Sequence, residues 1–329
     1  MRHHSNKTPS PLDRIEGALR LRASLFGAFR REDETNAYRL LNAEGDDAGG
    51  FLADAYAGHV VVNVLSEQAL DEAPALEAAL VTALHPDGVV RKLRYKSTER
   101  GRVSGSVVAG AVPPGPIRVL HAGMPFEVDL LDGFHTGLFT DMRDEHTRMR
   151  RLARGRRVLN TFAYTGAFSV AAALGGATSV TSVDVVAKVL ERAKRNFELS
   201  GIDPSAHHFA RMDVLEYLAL AKRRRWSFDA IVLDPPTFAV FKGGRWSAKA
   251  QYPRLLELAI DVLAPDGLLW AAANTESTTP ERFERQIADA FRSARRSAKV
   301  LAAGGLPGDY PTPAEDPGAR YLKVYVLLA

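Results

Sequence analysis

Four short segments of this sequence hold side chains able to bind a ligand or position a reacting group. The first is Asn160-Thr161-Phe162-Ala163-Tyr164-Thr165-Gly166-Ala167-Phe168. Gly166 lets backbone approach a ligand closely, and a helix starting just after it would favour an anionic group. The G-x-G-x-x-G pyrophosphate fingerprint is missing, which counts against a dinucleotide. The second is Asp184, whose carboxylate can accept hydrogen bonds from both hydroxyls of a ribose or cap a following helix. The third is Met212-Asp213, where Asp213 can receive an adenine amino group while Met212 packs on the ring. A helix cap is again the competing role for Asp213. The fourth is Asp234-Pro235-Pro236-Thr237-Phe238. Its two prolines fix the backbone and leave carbonyls for outside partners. The carboxylate and those carbonyls can hold the N–H edge of a base, with Phe238 stacking on a ring.

These segments need strand ends to hold them, and the hydrophobic pattern supplies them. From residue 156 apolar strands alternate with helices. Strands are expected at 158–162, 179–184, 207–210, 228–233, 268–273, 299–302 and 321–327. Helices are expected at 168–174, 188–199, 214–221, 252–263 and 280–292, the last with Pro280 in its first turn. Such alternation predicts an α/β fold, a Rossmann-like doubly wound seven-stranded sheet covered on both faces. Ligands then bind outside the carboxyl ends of the strands, where all four segments fall. The Pro/Gly-rich stretch 304–318 has no room for a crossover helix, so the last strand is expected to be antiparallel.

A smaller α+β domain precedes this sheet. Residues 51–54 and 59–65 read as strands about a turn at 56–58, residues 70–84 as a helix, and 89–95 as a strand. A hairpin is expected from 117–120 and 124–130 about Ala122-Gly123. Before it, residues 14–29 read as one helix. The domains are therefore 1–37, a basic N-terminal segment; 38–130, a central α+β domain; and 131–329, the α/β domain.

The 329 residues include no cysteine, which excludes disulfides, thiolate metal sites and a sulfur nucleophile; no metal site is expected. No apolar run is long enough to span a membrane, and Met1-Arg2-His3-His4-Ser5 lacks the apolar stretch of a signal peptide, so the expected location is cytoplasmic. The net charge of +4 is modest, but arginines cluster. Arg143, Arg148, Arg150, Arg151, Arg154, Arg156 and Arg157 form one group, Lys222-Arg223-Arg224-Arg225 a second, and Arg292, Arg295, Arg296 and Lys299 a third. Each is either a phosphate-binding footprint or a solvated helix face.

Asn-x-Phe-x-Tyr-Thr-Gly at 160–166, Gly175-Gly176-Ala177, Ser182-Val183-Asp184, Asn196 and Asp234-Pro235-Pro236-Thr237-Phe238 together resemble one family. It is the class I S-adenosylmethionine-dependent methyltransferases of large-subunit ribosomal RNA, which make 5-methylcytosine or N7-methylguanine. The segment 132–144 resembles that family's approach to its catalytic domain, and 39–46 with 54–56 its central domain; the resemblance covers residues 38–329. It implies S-adenosylmethionine as cofactor and RNA, in particular large-subunit rRNA, as partner, with a homodimer as an expectation about assembly. It further implies that Phe162, Tyr164, Thr165 and Gly166 line the methionine end, and that Asp141 with Arg143 holds the amino-acid moiety. Asp184 would bind ribose, Met212 and Asp213 adenine, and Asp234, Phe238 and Asn274 would face the target base, Asp234 also bordering the cofactor.

Three departures redirect the chemistry. The cytosine C5 branch needs a cysteine after the fifth strand, where this chain has Ala271-Ala272-Ala273-Asn274, and no cysteine exists elsewhere to form the covalent adduct. Asp-Pro-Pro-Thr-Phe with Asn274 is closer to the N7-guanine branch, whose ring nitrogen attacks directly and needs mainly positioning. Before Arg39 there is about half the length of the family's N-terminal RNA-binding domain, so RNA binding is expected to rest on the central domain and the arginines. His135 also stands for a lysine and Met142 for a glutamine. The alternatives are a methyltransferase of a small molecule or protein and a non-catalytic RNA-binding relative.

Overall fold

Two units make up the chain: Met1–Asp141 with Pro307–Pro317, and Met142–Leu306 with Gly318–Ala329. The computed structural model describes residues 9–27, 35–95, 105–131, 133, 135–241 and 244–329. Residues 28 and 29 of the expected first helix, and Asp132 and Phe134 of the segment leading to the second unit, lie outside the described residues.

The first unit opens with α1 (Pro11–Gly27) and continues through β1 (Ala37–Asn42), β2 (Phe51–Tyr56), β3 (His59–Val64), α2 (Glu67–Leu84), β4 (Gly88–Leu93) and β5 (Ser106–Gly110). The five strands form one sheet in sequence order. Only β3 and β4 are parallel, because α2 carries the chain back between them. Ser66 starts α2 by accepting the Ala69 N–H at 3.1 Å. Leu40, Phe51, Val62, Leu76 and Leu80 lie in its core. The hairpin β6 (Ile117–His121) and β7 (Met124–Val128) turns at Ala122 and Gly123. Both turn residues have positive φ (51° and 70°), as a two-residue hairpin turn requires. The segment 307–317 is bonded into this unit: Arg22 donates to the Asp309 carbonyl at 2.8 Å, the Arg39 N–H to the Asp309 carboxylate at 2.9 Å, and Asn42 to the Pro311 carbonyl at 2.8 Å.

The second unit runs α3 (Arg143–Leu152), β8 (Arg157–Thr161), α4 (Ala167–Leu174), β9 (Ser179–Asp184), α5 (Ala187–Leu199), β10 (His208–Arg211), α6 (Val214–Arg224) and β11 (Phe228–Leu233). A short hairpin follows, β12 (Phe238–Phe241) and β13 (Gly244–Ser247), then α7 (Ala248–Val262), β14 (Leu263–Asn274), α8 (Pro280–Ser293), β15 (Lys299–Gly304) and β16 (Leu322–Leu328). The seven-stranded sheet has the order β10-β9-β8-β11-β14-β16-β15. The pairs joining β10, β9, β8, β11 and β14 are parallel, and β16 is antiparallel to both β14 and β15. The fold is the expected doubly wound α/β sheet with an antiparallel final strand.

Ile231, Val232 and Leu233 are buried on both faces of the sheet, as a central parallel strand demands. Leu159, Leu255, Leu269, Ile287 and Phe283 share a core cluster with Ile231 and Leu233. Thr279 caps α8 by accepting the Arg282 N–H, with Pro280 at the first helical position. Four strands were not expected: β1, β5, β12 and β13. β5 is a partly exposed strand at the sheet edge, and β12 and β13 have four residues each, too short for alternation to register. Among the described residues no helix is long and apolar enough to cross a membrane.

Candidate functional site

β8, β9, β10, β11 and β14 all point their carboxyl ends the same way, and the singled-out residues collect there. The loop leaving β8 is wound through three left-handed residues in five: Phe162 (φ 52°), Tyr164 (φ 49°) and Gly166 (φ 84°). Bulky residues avoid this region, so the loop holds strain that its surroundings must enforce. The enforcement is visible. The Ala163 N–H donates to the Val183 carbonyl at 2.9 Å, and the Tyr164 N–H to the Asp184 carboxylate at 2.9 Å. Asn196 of α5, fully buried, donates to the Thr165 carbonyl at 2.8 Å. Beneath the loop, Asn160 donates to Ser169 at 2.9 Å and Ser169 meets Ser182 at 2.8 Å. Gly166 caps α4 with a left-handed backbone, and a Cβ there would sit 2.9 Å from that of Ala193. The glycine is thus required by the turn and by its closeness to α5, whatever approaches from outside.

Asp184 ends β9. Its Oδ2 takes the Tyr164 N–H and its Oδ1 takes the Val186 N–H, also at 2.9 Å. It does not cap α5, whose N-cap is Val186. The Val185 N–H is a third donor, and the carboxylate still keeps acceptor capacity for a hydroxyl. Burial pushes its pKa above the usual carboxylate value despite these hydrogen bonds. Burial likewise lifts the Tyr164 phenol to about 12. Met212 is joined to this end by its N–H, which reaches the Asp184 carbonyl at 3.1 Å. Asp213 does cap α6: its Oδ1 accepts from Leu215 at 2.8 Å and from Glu216 at 3.1 Å. The same oxygen takes both bonds, so Oδ2 stays available beside Met212. A half-buried carboxylate, a thioether and a second carboxylate along adjacent strand ends suit a nucleoside.

The loop after β11 is pinned differently from expectation. Carbonyls freed by the prolines were expected to face outward. Instead the Trp246 indole N–H donates to the Pro236 carbonyl at 2.7 Å, and the Ala248 N–H to the Thr237 carbonyl at 3.1 Å. The correction has a simple cause: the unexpected β12–β13 hairpin folds Trp246 back beneath the loop, where its ring packs 4.8 Å from that of Phe162. Thr237 also donates to the Asn274 side-chain oxygen at 3.0 Å, tying the end of β11 to the end of β14. Asn274 then presents its amide N–H groups elsewhere. Phe238 is 60% exposed at the start of the hairpin.

Beside this loop opens a cleft of about 110 Å³ lined by Pro235, Lys249, Tyr252, Asn274, Arg282 and Gln286, among others. Tyr252 had no functional signal in the sequence, where it reads as a helix residue. Burial and the neighbouring Asp234 charge push its phenol well up, so it stays a neutral hydroxyl. Asn196 also carried no mechanical signal, because its partner lies on another element. Of the remaining expected residues, Arg143 is buried at the start of α3, and Asp141 closes the first unit in the turn Thr140–Met142.

The family of S-adenosylmethionine-dependent methyltransferases matches over residues 46–318. YwbD of Bacillus subtilis (strain 168) is 36% identical over 318 residues, covering 96% of this chain and 79% of YwbD. A protein of Deinococcus radiodurans named ribosomal RNA large subunit methyltransferase is 34% identical over 320 residues, covering 95% of this chain and 78% of the relative. The crystal structure of SMU.776, complexed with SAH, superposes with a TM-score of 0.89 at 29% identity, covering 99% of this chain and 83% of that one.

Proposed function

The chain belongs to the S-adenosylmethionine-dependent methyltransferase family, and on that premise we propose that it methylates a base nitrogen of ribosomal RNA, with N7-guanine chemistry favoured over cytosine C5. The observation that carries the choice of atom is the pairing of the Asp234 loop and Asn274 around the cleft in a chain without cysteine. A covalent route through ring carbon C6 needs a sulfur nucleophile; a ring nitrogen already owns the attacking lone pair.

The residues present fit the cofactor. The strained loop 162–166 would take the methionine end, Asp184 the ribose hydroxyls, and Met212 with the Oδ2 of Asp213 the adenine. Asp141 and Arg143 would hold the amino-acid moiety. When bound, S-adenosylmethionine supplies an electrophilic methyl group on a sulfonium. The chain's own work is then to place the base. Asp234 accepts the N–H edge of the base and Phe238 stacks on its face. Asn274, its oxygen engaged by Thr237, donates an amide N–H to a ring carbonyl oxygen. Lys249 and Arg282 at the mouth of the cleft suit a backbone phosphate. No group of the chain need remove a proton before attack, so catalysis is positioning and exclusion of water.

Nucleoside mass spectrometry of large-subunit rRNA from a deletion strain is the test. One methylated guanosine should disappear and return when the gene is restored. An unchanged nucleoside profile would remove rRNA from consideration, and loss of a 5-methylcytosine instead would overturn the nitrogen chemistry.

A further inference from the structure

Leaving aside the α3 arginines Arg143 to Arg151, the three arginine clusters of the sequence lie away from the site. Their remaining members sit at the loops entering β8, β11 and β15, and all three strands start at the same edge of the sheet, opposite the carboxyl ends that hold Asp184 and Asp234. With strands of five or six residues, the two edges are about 20 Å apart. The clusters form one continuous surface. Arg157, before Val158, donates to Ser227 at 3.2 Å and pairs with Asp229 at 2.8 Å, joining the first to the second. Lys222 pairs with Asp261 at 2.8 Å, and Arg296 donates to the Ile260 carbonyl at 2.8 Å, joining the second to the third across the end of α7. Those pairs also neutralise two nearby carboxylates, and Asp289 is held by Arg292 at 3.0 Å. Arg154, Arg223, Arg224, Arg225, Arg295 and Lys299 are exposed and have no ion pair among the described residues. Trp226 stands among them, 45% exposed.

We propose that this surface is a second RNA-binding site, holding the phosphate backbone of a segment remote from the target base, with Trp226 as a stacking platform. The inference rests on the RNA reading above. Cations without carboxylate partners match a polyanion, guanidinium groups match phosphate, and an exposed indole within the cluster accepts an unstacked base. A ligand confined to the cleft cannot reach across the depth of the sheet. The substrate must therefore be an RNA large enough to touch both edges, such as a folded rRNA domain, and not a short strand.

The test uses the full chain in two assays: saturated with S-adenosylhomocysteine for anisotropy with a fluorescent RNA stem-loop, and supplied with S-adenosylmethionine for methyl transfer to in vitro transcribed large-subunit rRNA. The variant combines Arg154→Ser, Arg223→Ser and Arg224→Ser; Arg225 is spared because its backbone is left-handed (φ 57°). Stem-loop affinity should fall tenfold or more. The slope of log K against log salt should flatten by roughly 0.9 for each phosphate no longer neutralised, about two to three for three arginines. The KM for rRNA should rise with kcat and S-adenosylhomocysteine affinity unchanged, and the matching triple Arg→Lys variant should keep most of the salt slope. If wild type methylates rRNA and the Ser variant matches it in KM and salt slope, the surface is a solvated face and the inference is wrong. If wild type neither binds nor methylates RNA, the function proposed above falls, and this surface with it.

Discussion

About 20 Å of β-strand separates two surfaces of opposite make. The backbone is strained at the carboxyl end of β8, and across the carboxyl ends of β8, β9 and β11 polar groups are tied to partners on other elements: Tyr164 to Asp184, Asn196 to Thr165, Thr237 to Asn274. At the amino ends the backbone is ordinary apart from helix-terminal positions such as Arg225, and arginines such as Arg154, Arg223 and Arg224 stand in solvent with no ion pair among the described residues. The first surface fixes a geometry; the second supplies charge. Changes at the first should act on cofactor binding and methyl transfer as sharp, position-dependent losses. Changes at the second should be graded, additive and salt-sensitive.

The largest effect that would sharpen this contrast belongs to Asp234. Asp234→Ala should lower kcat by about 10³ while S-adenosylmethionine affinity stays within a few-fold, as calorimetry and single-turnover transfer would show. A kcat within tenfold of wild type would remove Asp234 from the base-holding role. Next comes Asp184→Ala, which removes the ribose acceptor and orphans the Tyr164 and Val186 N–H groups. Cofactor affinity should drop by about 100-fold or more, equivalent to roughly 2.7 kcal/mol; unchanged affinity in a folded variant would sink the cofactor assignment. Gly166→Ala should destabilise the second unit by about 1–2 kcal/mol, since it places a side chain at φ 84° against Ala193. Denaturant unfolding measures it, and a neutral result would mean the loop relaxes easily. Asp213→Ala should cost about 1 kcal/mol through the lost cap of α6, with a modest loss of cofactor affinity. If stability falls and affinity does not move at all, Asp213 is a cap and nothing else.

Acidity sharpens the comparison further. Asp184 has its folded-state pKa raised, chiefly by burial. Its charged form is therefore costlier in the fold than in the unfolded chain, so its contribution favours folding at pH below its unfolded value and is lost as pH rises through the folded value. Ribose hydroxyls donate more strongly to the charged form than to the protonated acid, so cofactor affinity should run the other way. It should be constant above the raised pKa and weaken below it, starting at higher pH than an ordinary aspartate would give. Calorimetry against pH would show it. RNA binding at the opposite edge, carried by arginine, should not change over the same range.

Much of the second unit was legible in the chain because its signals are local. Strand runs such as Ile231-Val232-Leu233, each followed by a helical stretch, specify a parallel sheet, and the sheet then dictates where Asp184, Asp234 and Asn274 must lie. The antiparallel last strand followed from the lack of a crossover helix between β15 and β16. What stayed hidden depends on pairings between distant residues. Phe162 and Tyr164 adopt left-handed backbone only because Asp184 and Val183 bind the loop, and nothing in a phenylalanine or tyrosine announces that. The outward-facing carbonyls expected after Asp234 were taken up by Trp246, ten residues beyond Pro236 on a hairpin too short to show a period. The arginine clusters were plain in the sequence, but their common edge appears only once strand directions are known.

The segment Pro307–Pro317, which leaves the second unit to complete the first, has a consequence for how this protein is made. A chain emerging from the ribosome tends to fold domain by domain from its amino end. Here Arg22, Arg39 and Asn42 wait for Asp309 and Pro311, so the amino-terminal unit is finished only after residues 307–317 have been synthesised. Nascent chains stalled before residue 307 should therefore carry an amino-terminal unit that proteases still cut. Emergence of residues 307–317 should lock it, so the amino-terminal unit closes only after most of the α/β unit has been translated.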